Sequence, residues 1–308
     1  MVGVLIGFAI IVAVIGVGYL IGRFNLLGPH ADHVLSRLAF FVLSPALLFT
    51  VLAGADVSHL FSALLPISAI AAGVNIVAFL VIALLIWRRS LPEATVGALA
   101  SGYVNANNIG LPVSVYVLGD ASSAAPVILL QLIVLAPIAL TILDVSMSGT
   151  LSVRRILLQP VRNPLIIGSL LGVIVAITHL NIPAPVMAPL TLIGGAAVPV
   201  ILMSFGMSLH GSRVLAPGTS RKDVILASAL KLAAMPLIAW LLAHFVWHLE
   251  GHRLFVVVVL AALPTAQNVF NYAQRYGRGV TMARDTVLIT TALSIVALVV
   301  IAALLAPG

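Results

Sequence analysis

The stretch Val104–Asn–Ala–Asn–Asn–Ile–Gly–Leu–Pro112 lies within a hydrophobic segment that is long enough to cross a lipid bilayer. Proline removes a backbone donor and clashes with the preceding helical turn, and glycine weakens a helix further. Backbone that is opened at membrane depth has to be buried in protein or to line a wet cavity. The stretch therefore predicts an interrupted transmembrane helix, and interruptions of this kind mark binding sites in transporters.

The composition of the whole chain indicates a membrane protein. Of its 308 residues, 62% are hydrophobic and only 7% are charged, whereas a soluble domain carries about 25% charged residues. So few charges cannot cover a water-facing surface. The apolar runs mostly reach about 18 residues, which is the length of a membrane helix and longer than the strands of a barrel. We therefore predict an all-α integral membrane protein.

Ten transmembrane spans can be drawn along the chain. Spans 4 and 9 contain polar, proline-containing interruptions, and spans 2 and 7 each contain a proline. Five spans per half is an odd number, so the second half would enter the membrane from the opposite side, as an inverted repeat of the first. The predicted repeats are residues 1–149 and 150–308. The predicted spans are 2–21, 34–52, 63–87, 93–118, 124–145, 164–180, 186–209, 224–247, 254–276 and 286–305.

Basic residues fall almost entirely on one side of these spans. Arg253 lies on the opposite side and Lys231 lies within span 8. The positive-inside rule then places the basic loops in the cytoplasm and both termini outside. This arrangement explains the net charge of +7 without a nucleic-acid partner. The residues on the cytoplasmic side, at the start of span 2 or in the loops after odd-numbered spans, are Arg23, Arg37, Arg88, Arg89, Arg154, Arg155, Arg162, Arg213, Arg221, Lys222, Arg275, Arg278 and Arg284.

The two interruptions are the predicted binding site. Pro112 and Pro264 could each open a second half-helix, because proline is well tolerated in a first turn. The N-termini of two such half-helices would face each other near the midplane, where free N–H groups and partial positive charge suit a carboxylate. Amide side chains could orient the anion, or their oxygens could coordinate a coupling Na⁺. Coupling to H⁺ is the alternative. The predicted substrate-binding residues are Asn105, Asn107, Asn108, Gly110, Pro112, Pro264, Thr265, Gln267, Asn268, Asn271 and Lys231.

Lys231 joins this set because a charge inside the membrane is costly and tends to be paired or functional. It could bind the substrate, pair with Asp144 of span 5, or extend to the cytoplasmic surface.

Enzyme chemistry finds little support, because the chain has no Cys and lacks HExxH, GxSxG and P-loop motifs. We predict neither a metal site nor a cofactor.

Two stretches together resemble the signatures of a known family. The run Asn105–Ala–Asn–Asn–Ile–Gly110–Leu–Pro112, followed by Gly119, resembles the Asn-x-Gly-x-x-Gly-x-Pro signature of the auxin efflux carrier family. The run Pro264–Thr–Ala–Gln–Asn268–Val–Phe–Asn–Tyr–Ala–Gln–Arg–Tyr–Gly277 resembles its second signature. The run Arg–Asn–Pro at 162–164, and Lys231 with Pro236, are also similar, so the resemblance covers essentially the whole chain.

The resemblance implies the fold shared with bile-acid-type sodium symporters, in which spans 4 and 9 cross at their interruptions. It implies a scaffold of spans 1, 2, 6 and 7, a mobile part of spans 3–5 and 8–10 that moves like an elevator, and a homodimer. The short loop after span 5 favours the bacterial permease branch, in the inner membrane, which carries malate or malonate. The chain departs from the first signature at Asn107, where the family usually has glycine.

The function expected from these observations is secondary active transport of a small organic anion, such as malate, malonate or an auxin-like acid. A sodium-coupled symporter of a larger amphipathic anion of the bile-acid type is an alternative. A membrane sensor or channel that uses the same fold without transport is another.

Overall fold

The computed structural model describes residues 2–54, 63–148, 163–210, 215 and 220–306. Within these ranges the chain is helical, and its extended pairing is limited to one isolated β-bridge. The predicted all-α class is confirmed for this part of the protein. Arg154, Arg155, Arg162 and Arg213, which contributed to the charge pattern, lie outside the described residues.

Twelve helices cover the described ranges, and several contain one or two wider π-helical turns. Helices α4 and α5 are separated by the first interruption, and α10 and α11 by the second. The bounds are α1 Val2–Arg23, α2 Ala31–Ala53, α3 Leu64–Ile86, α4 Leu91–Gly102, α5 106–116, α6 Ala121–Met147, α7 Pro164–Thr178, α8 Ala184–Ser208, α9 Arg221–Val246, α10 Gly251–Ala261, α11 Gln267–Tyr276 and α12 Val280–Leu305.

Six of the described helices are long and apolar enough to cross a membrane: α2, α3, α6, α8, α9 and α12. Residues Ala9–Arg23 of α1, together with α7 and α10, form shorter apolar helices. The protein is therefore a multi-pass membrane protein. The count of ten spans stays a prediction, because the remaining segments are too short by this measure or are interrupted.

Helices α3 and α9 end in the same way. Each closes with a π-helical turn, at Ile82–Ile86 in α3 and at Leu242–Val246 in α9. A tryptophan follows each turn, and the next residue has a positive φ, 51° at Arg88 and 50° at His248. The chain then enters α4 or α10, the first helix of an interrupted pair. The same local structure thus precedes both interruptions.

The helices pack as two groups. Helix α1 packs along α8, and α2 packs against α7 and α8. In the second group, α4 packs against α3, α6 and α9, while α12 packs against α9, α10 and α11. Helix α5 contacts both groups, because it packs against α1 and α8 as well as against α6. The interrupted pairs therefore belong mainly to the second group and meet the first group through α5.

Glycine allows α1 and α8 to approach closely. A Cβ atom added at Gly18 would lie 2.2 Å from the carbonyl oxygen of Met203, and one at Gly206 would lie 2.1 Å from that of Ile15. Both distances are far shorter than any van der Waals contact. In membranes, small residues of this kind let helix backbones pack against each other and gain dispersion energy.

A salt bridge connects the turn after α3 to the start of α9. The Arg89 guanidinium donates to both carboxylate oxygens of Asp223, at 3.3 and 2.7 Å, and also to the Ser220 hydroxyl. The Asp223 side chain is only 8% exposed, so this two-pronged contact is better shielded from solvent than a typical surface pair. It ties together two helices of the second group at one end.

Candidate functional site

The two interruptions pair with each other. Val104 and Thr265 form an antiparallel β-bridge. The Asn105 N–H donates to the carbonyl of Pro264 at 2.8 Å, and the Ala266 N–H donates to the carbonyl of Tyr103 at 3.0 Å. Each interruption thus supplies the hydrogen-bond partners that the other lost by leaving the helix. Backbone opened in the interior of a membrane protein needs such partners, because no water is at hand to replace them.

Thr265 stabilises the crossing, the place where the two interruptions pair. Its side chain is fully buried, and its hydroxyl donates to the carbonyl of Ala100 at 2.6 Å. Its own N–H donates to the Thr290 hydroxyl of α12 at 3.1 Å. Ala100 lies in the last turn of α4, where helix carbonyls have no intrahelical partner. The threonine therefore links the end of α4 to α12 through the second interruption.

We expect Thr265→Val to destabilise the protein while keeping the shape of the side chain. The Ala100 carbonyl would lose its donor in a buried setting, which costs about 1–3 kcal/mol in the free energy of unfolding. Thr265→Ser keeps the hydroxyl and serves as the control. The measurement is the thermal unfolding of each variant in the same detergent, and equal melting temperatures for the valine and serine variants would show that the hydroxyl has no such role.

The second half-helices do not begin at the two prolines. Helix α5 starts at Ala106, with Asn105 as its N-cap, and Pro112 lies one and a half turns inside. The Asn105 side-chain oxygen accepts from the Asn108 N–H at 3.2 Å, which satisfies one of the free N–H groups of the first turn. Pro264 lies in the extended segment, and α11 starts at Gln267. Both helices begin beside the paired interruptions, but α5 begins before Pro112 and α11 begins after Pro264.

Three of the predicted site residues pack inside the crossing. A Cβ atom at Gly110 would lie 2.9 Å from a methyl carbon of Leu263, so glycine lets α5 approach the second interruption. Pro112 is buried, and the carbonyl of Pro264 accepts from Asn105. Their contribution in this structure is to shape and position the crossing.

A cavity of about 480 Å³ lies beside the crossing. Five of the predicted residues line it, and all five carry amide side chains: Asn107, Asn108, Gln267, Asn268 and Asn271. The others, Asn105, Gly110, Pro112, Lys231, Pro264 and Thr265, do not line it. The facing wall comes from α2, and the full lining adds Asp32, His33, Ser36, Arg37, Phe40, Phe41, Leu132, Asn163 and Tyr272.

The amide groups on the α5 side offer both donors and acceptors. The Asn107 amide nitrogen donates to the side-chain oxygen of Asn108 at 2.8 Å. The side-chain oxygen of Asn107 is buried and has no hydrogen-bond partner among the described residues. On the other side, no side chain caps the start of α11. The Val269 N–H donates to the carbonyl of Ala266 at 3.1 Å, and the N–H groups of Gln267 and Asn268 have no hydrogen-bond partner among the described residues. A polar solute could therefore be bound from both half-helices at once.

Lys231 contacts the end of α10. Its side chain is fully buried, and its ammonium donates to the carbonyl of Ala261 at 2.8 Å and to the sulfur of Met235 at 3.1 Å. Ala261 is the last residue of α10, where the macrodipole favours positive charge. Extension of Lys231 to the membrane surface is wrong in this structure, because the side chain has no exposed area. Asp144, its candidate partner, accepts from the Tyr276 hydroxyl at 2.7 Å.

Helix α4 ends with a related contact. The side-chain nitrogen of Asn75 donates to the carbonyls of Ser101 and Leu230, at 3.1 and 2.8 Å. Ser101 is the second-last residue of α4, as Ala261 is the last of α10. A buried donor from the preceding helix, Asn75 of α3 or Lys231 of α9, thus stabilises a carbonyl at the end of each first half-helix.

The sequence interpretation missed the α2 wall of the cavity. Arg37 was assigned to the cytoplasmic charge pattern, and residues 31–33 were placed in a loop before span 2. In the structure α2 starts at Ala31, three residues earlier than predicted. His33 and Arg37 are one turn apart on that helix, next to Phe40 and Phe41. This spacing of polar groups on a membrane helix was the available signal, because such groups face the interior or a cavity.

A cavity of this size, lined by amides at paired helix interruptions inside a membrane protein, is typical of a transporter. The chain belongs to the membrane transport protein family, whose model matches residues 4–302. This match confirms the resemblance to the auxin efflux carriers. It indicates a transporter and not an enzyme, as predicted.

Two relatives extend over nearly the same length. One, from Rhizobium meliloti (strain 1021), carries the provisional name of malonate transporter and is 27% identical over 291 residues, which cover 90% of this chain and 88% of the relative. The other is an uncharacterized transporter from Methanothermobacter thermautotrophicus, 28% identical over 290 residues, which cover 91% of each chain.

Proposed function

We propose that the protein is a secondary active transporter of a small organic anion, a carboxylate such as malonate, malate or an auxin-like acid. The observation that carries this proposal is the position of the amide-lined cavity. It lies where the paired interruptions meet α2, between the two packed groups of helices. A solute bound there would contact both groups, so its binding could be coupled to their relative movement.

The chemistry of the cavity suits a carboxylate. The N–H groups of Ala106, Asn108 and Ile109 at the start of α5 are already hydrogen-bonded within the chain. The donors are therefore the surrounding amide side chains and the free N–H groups at the start of α11, and the positive ends of two helix dipoles add partial charge. The cavity volume of about 480 Å³ lies within the range of small-molecule sites, roughly 300–1,000 Å³. The name of the Rhizobium relative, a malonate transporter, supports a small dicarboxylate as the first compound to test.

The proposal includes ten spans arranged as inverted repeats, residues 1–149 and 150–308. The common ending of α3 and α9, the two interruptions that follow them, and the buried donors at the ends of α4 and α10 support this symmetry. Two repeats of opposite orientation would bring the interruptions together from opposite sides of the membrane, and the antiparallel direction of the bridge supports this arrangement.

The proposed mechanism is elevator-type alternating access. Helices α1, α2, α7 and α8, which correspond to spans 1, 2, 6 and 7, would form the scaffold. Spans 3–5 and 8–10, which comprise α3–α6 and α9–α12, would carry the solute across. The packing of α4 with α3, α6 and α9, and of α12 with α9–α11, supports movement of the second group as one unit. A homodimer in the bacterial inner membrane, with both termini outside, completes the proposal.

The test is uptake of radiolabelled malonate into proteoliposomes, with and without a Na⁺ gradient and with and without a pH gradient. We expect saturable uptake and counterflow, because an alternating-access carrier exchanges solute across the membrane. A gradient that drives accumulation identifies the coupling ion. Uptake that does not saturate and shows no counterflow would indicate a channel. Uptake of a bile acid but of no small carboxylate would favour the amphipathic-anion symporter, and the absence of any carboxylate uptake would contradict the proposed function.

A further inference from the structure

Arg37 stands out on the α2 wall of the cavity. No carboxylate of the described residues lies within the 4.0 Å ion-pair distance of its guanidinium. Arg89 and Arg284, by contrast, form ion pairs with Asp223 and Asp285. The Arg37 guanidinium lies over the ring of Phe41, 5.4 Å from its centroid, and so is held beside the cavity by an aromatic face.

From this position we infer that Arg37 binds the second carboxylate of a dicarboxylate substrate and makes the protein select dianions over monoanions. The inference rests on the proposed function, since it assigns a specificity-determining residue to that same cavity. One carboxylate would bind at the half-helix starts and the amides of α5 and α11. The other would then face α2, where Arg37 lines the opposite wall.

The chemistry of the two walls explains why selection would depend on Arg37. The amides of α5 and α11 are neutral, so they can bind one carboxylate of a monoanion or a dianion equally well. A second carboxylate without a cationic partner would lose its hydration and gain little in return. The planar guanidinium matches a carboxylate with two parallel hydrogen bonds, which a neutral side chain cannot supply with the same strength.

The other charged and titratable groups of the α2 wall fit this assignment. His33 lies one turn before Arg37 and also lines the cavity, so it can donate a further hydrogen bond. Asp32, in the first turn of α2, carries the opposite charge. Its repulsion would direct the second carboxylate away from the start of α2 and towards Arg37.

The test compares Arg37→Gln with wild type in proteoliposomes. Malonate and its monomethyl ester compete with radiolabelled malonate, and the inhibition constants of both are measured. We expect the constant for malonate to rise about tenfold to a hundredfold in the variant, the usual effect of losing a hydrogen-bonded charge. The constant for the monomethyl ester should stay within about twofold, because the ester keeps only the carboxylate that the amides bind.

Two further variants distinguish this change in selectivity from a general loss of substrate affinity. Arg23→Gln removes a charge at the end of α1 that does not line the cavity, and its constants should equal those of wild type. Arg37→Lys keeps the charge without the planar fork and should give an intermediate constant for malonate. An unchanged ratio of the two constants in Arg37→Gln would overturn the assignment of Arg37 while the proposed function stands. A wild-type protein that takes up no carboxylate would overturn both.

Discussion

Asn268→Ala is expected to abolish carboxylate uptake while the protein still folds and inserts. Asn268 lies in the first turn of α11 and lines the cavity beside the free N–H groups of that helix. Truncation removes both its donor and its acceptor without disturbing the β-bridge, which involves Val104 and Thr265. Transport should fall at least about a hundredfold, because a polar group left without its partner costs affinity in each state that binds the anion.

Gln274→Ala is the matched control for this variant. Gln274 is an amide on the same helix, nearly two turns further on, and it is exposed and does not line the cavity. Its variant should transport like wild type. The measurements are initial rates of malonate uptake in proteoliposomes and the melting temperature of each purified variant. Wild-type rates in Asn268→Ala would contradict the assignment of the cavity-lining amides to substrate binding.

The Asn105→Ala variant is expected to reduce uptake by a different route. Asn105 does not line the cavity, but its side chain caps α5 by accepting from the Asn108 N–H. Loss of an N-cap costs about 1 kcal/mol and would loosen the turn that carries Asn107 and Asn108. Asn105→Asp keeps an acceptor and should keep the melting temperature of wild type, whereas the alanine variant should melt at a lower temperature.

Gly18→Ala is expected to cause the largest loss of stability. The added Cβ would lie 2.2 Å from a backbone oxygen of α8, which cannot move aside as a flexible side chain could. Relieving this clash would move α1 away from α8 and weaken the packing along their whole contact. Overpacking typically costs roughly 1–3 kcal/mol in the free energy of unfolding, and we expect a loss in the upper part of that range. The expected result is a marked fall in melting temperature and in the yield of monodisperse protein.

Gly16→Ala is the control, two residues earlier on the same helix. A Cβ atom at Gly16 would meet no other atom within 4 Å, so alanine fits without strain. Because alanine favours helix over glycine by up to about 1 kcal/mol, this variant should be as stable as wild type or slightly more so. Equal melting temperatures for the two variants would show that α1 and α8 are not in close contact.

The two interruptions and their amide side chains could be predicted from the sequence because their signals are local, whereas the crossing of spans 4 and 9 came from the family resemblance. Three amides, a glycine and a proline within nine residues cannot form an ordinary membrane helix, and the second interruption carries a similar set. What remained beyond reach were relations between distant segments. The bridge between Val104 and Thr265, and the bond from Thr265 to Ala100, join residues that only the fold brings together.

Arg37 and Lys231 show the same contrast between a local signal and partners that only the fold brings close. The sequence indicates that each is a costly group near the membrane, but its partners depend on neighbouring helices. Lys231 contacts the carbonyl of Ala261 rather than Asp144, and Arg37 lines the cavity rather than belonging only to the cytoplasmic charge pattern. Periodicity can place such residues on a helix, but the direction that they face is decided by packing that leaves no trace in the local sequence.

The hydrogen-bond partners at the paired interruptions are synthesised at different times. The Asn105 N–H and the Tyr103 carbonyl enter the membrane with the first half of the chain, but their partners lie at Pro264 and Ala266. A ribosome adds about 5–20 residues per second, so roughly 8–30 s separate the appearance of the two strands. Throughout that interval the open backbone has to be satisfied by lipid headgroups, water or the insertion machinery. The pairing of the two interruptions therefore forms only after most of the chain has been made, so it is a late event in the folding of this protein.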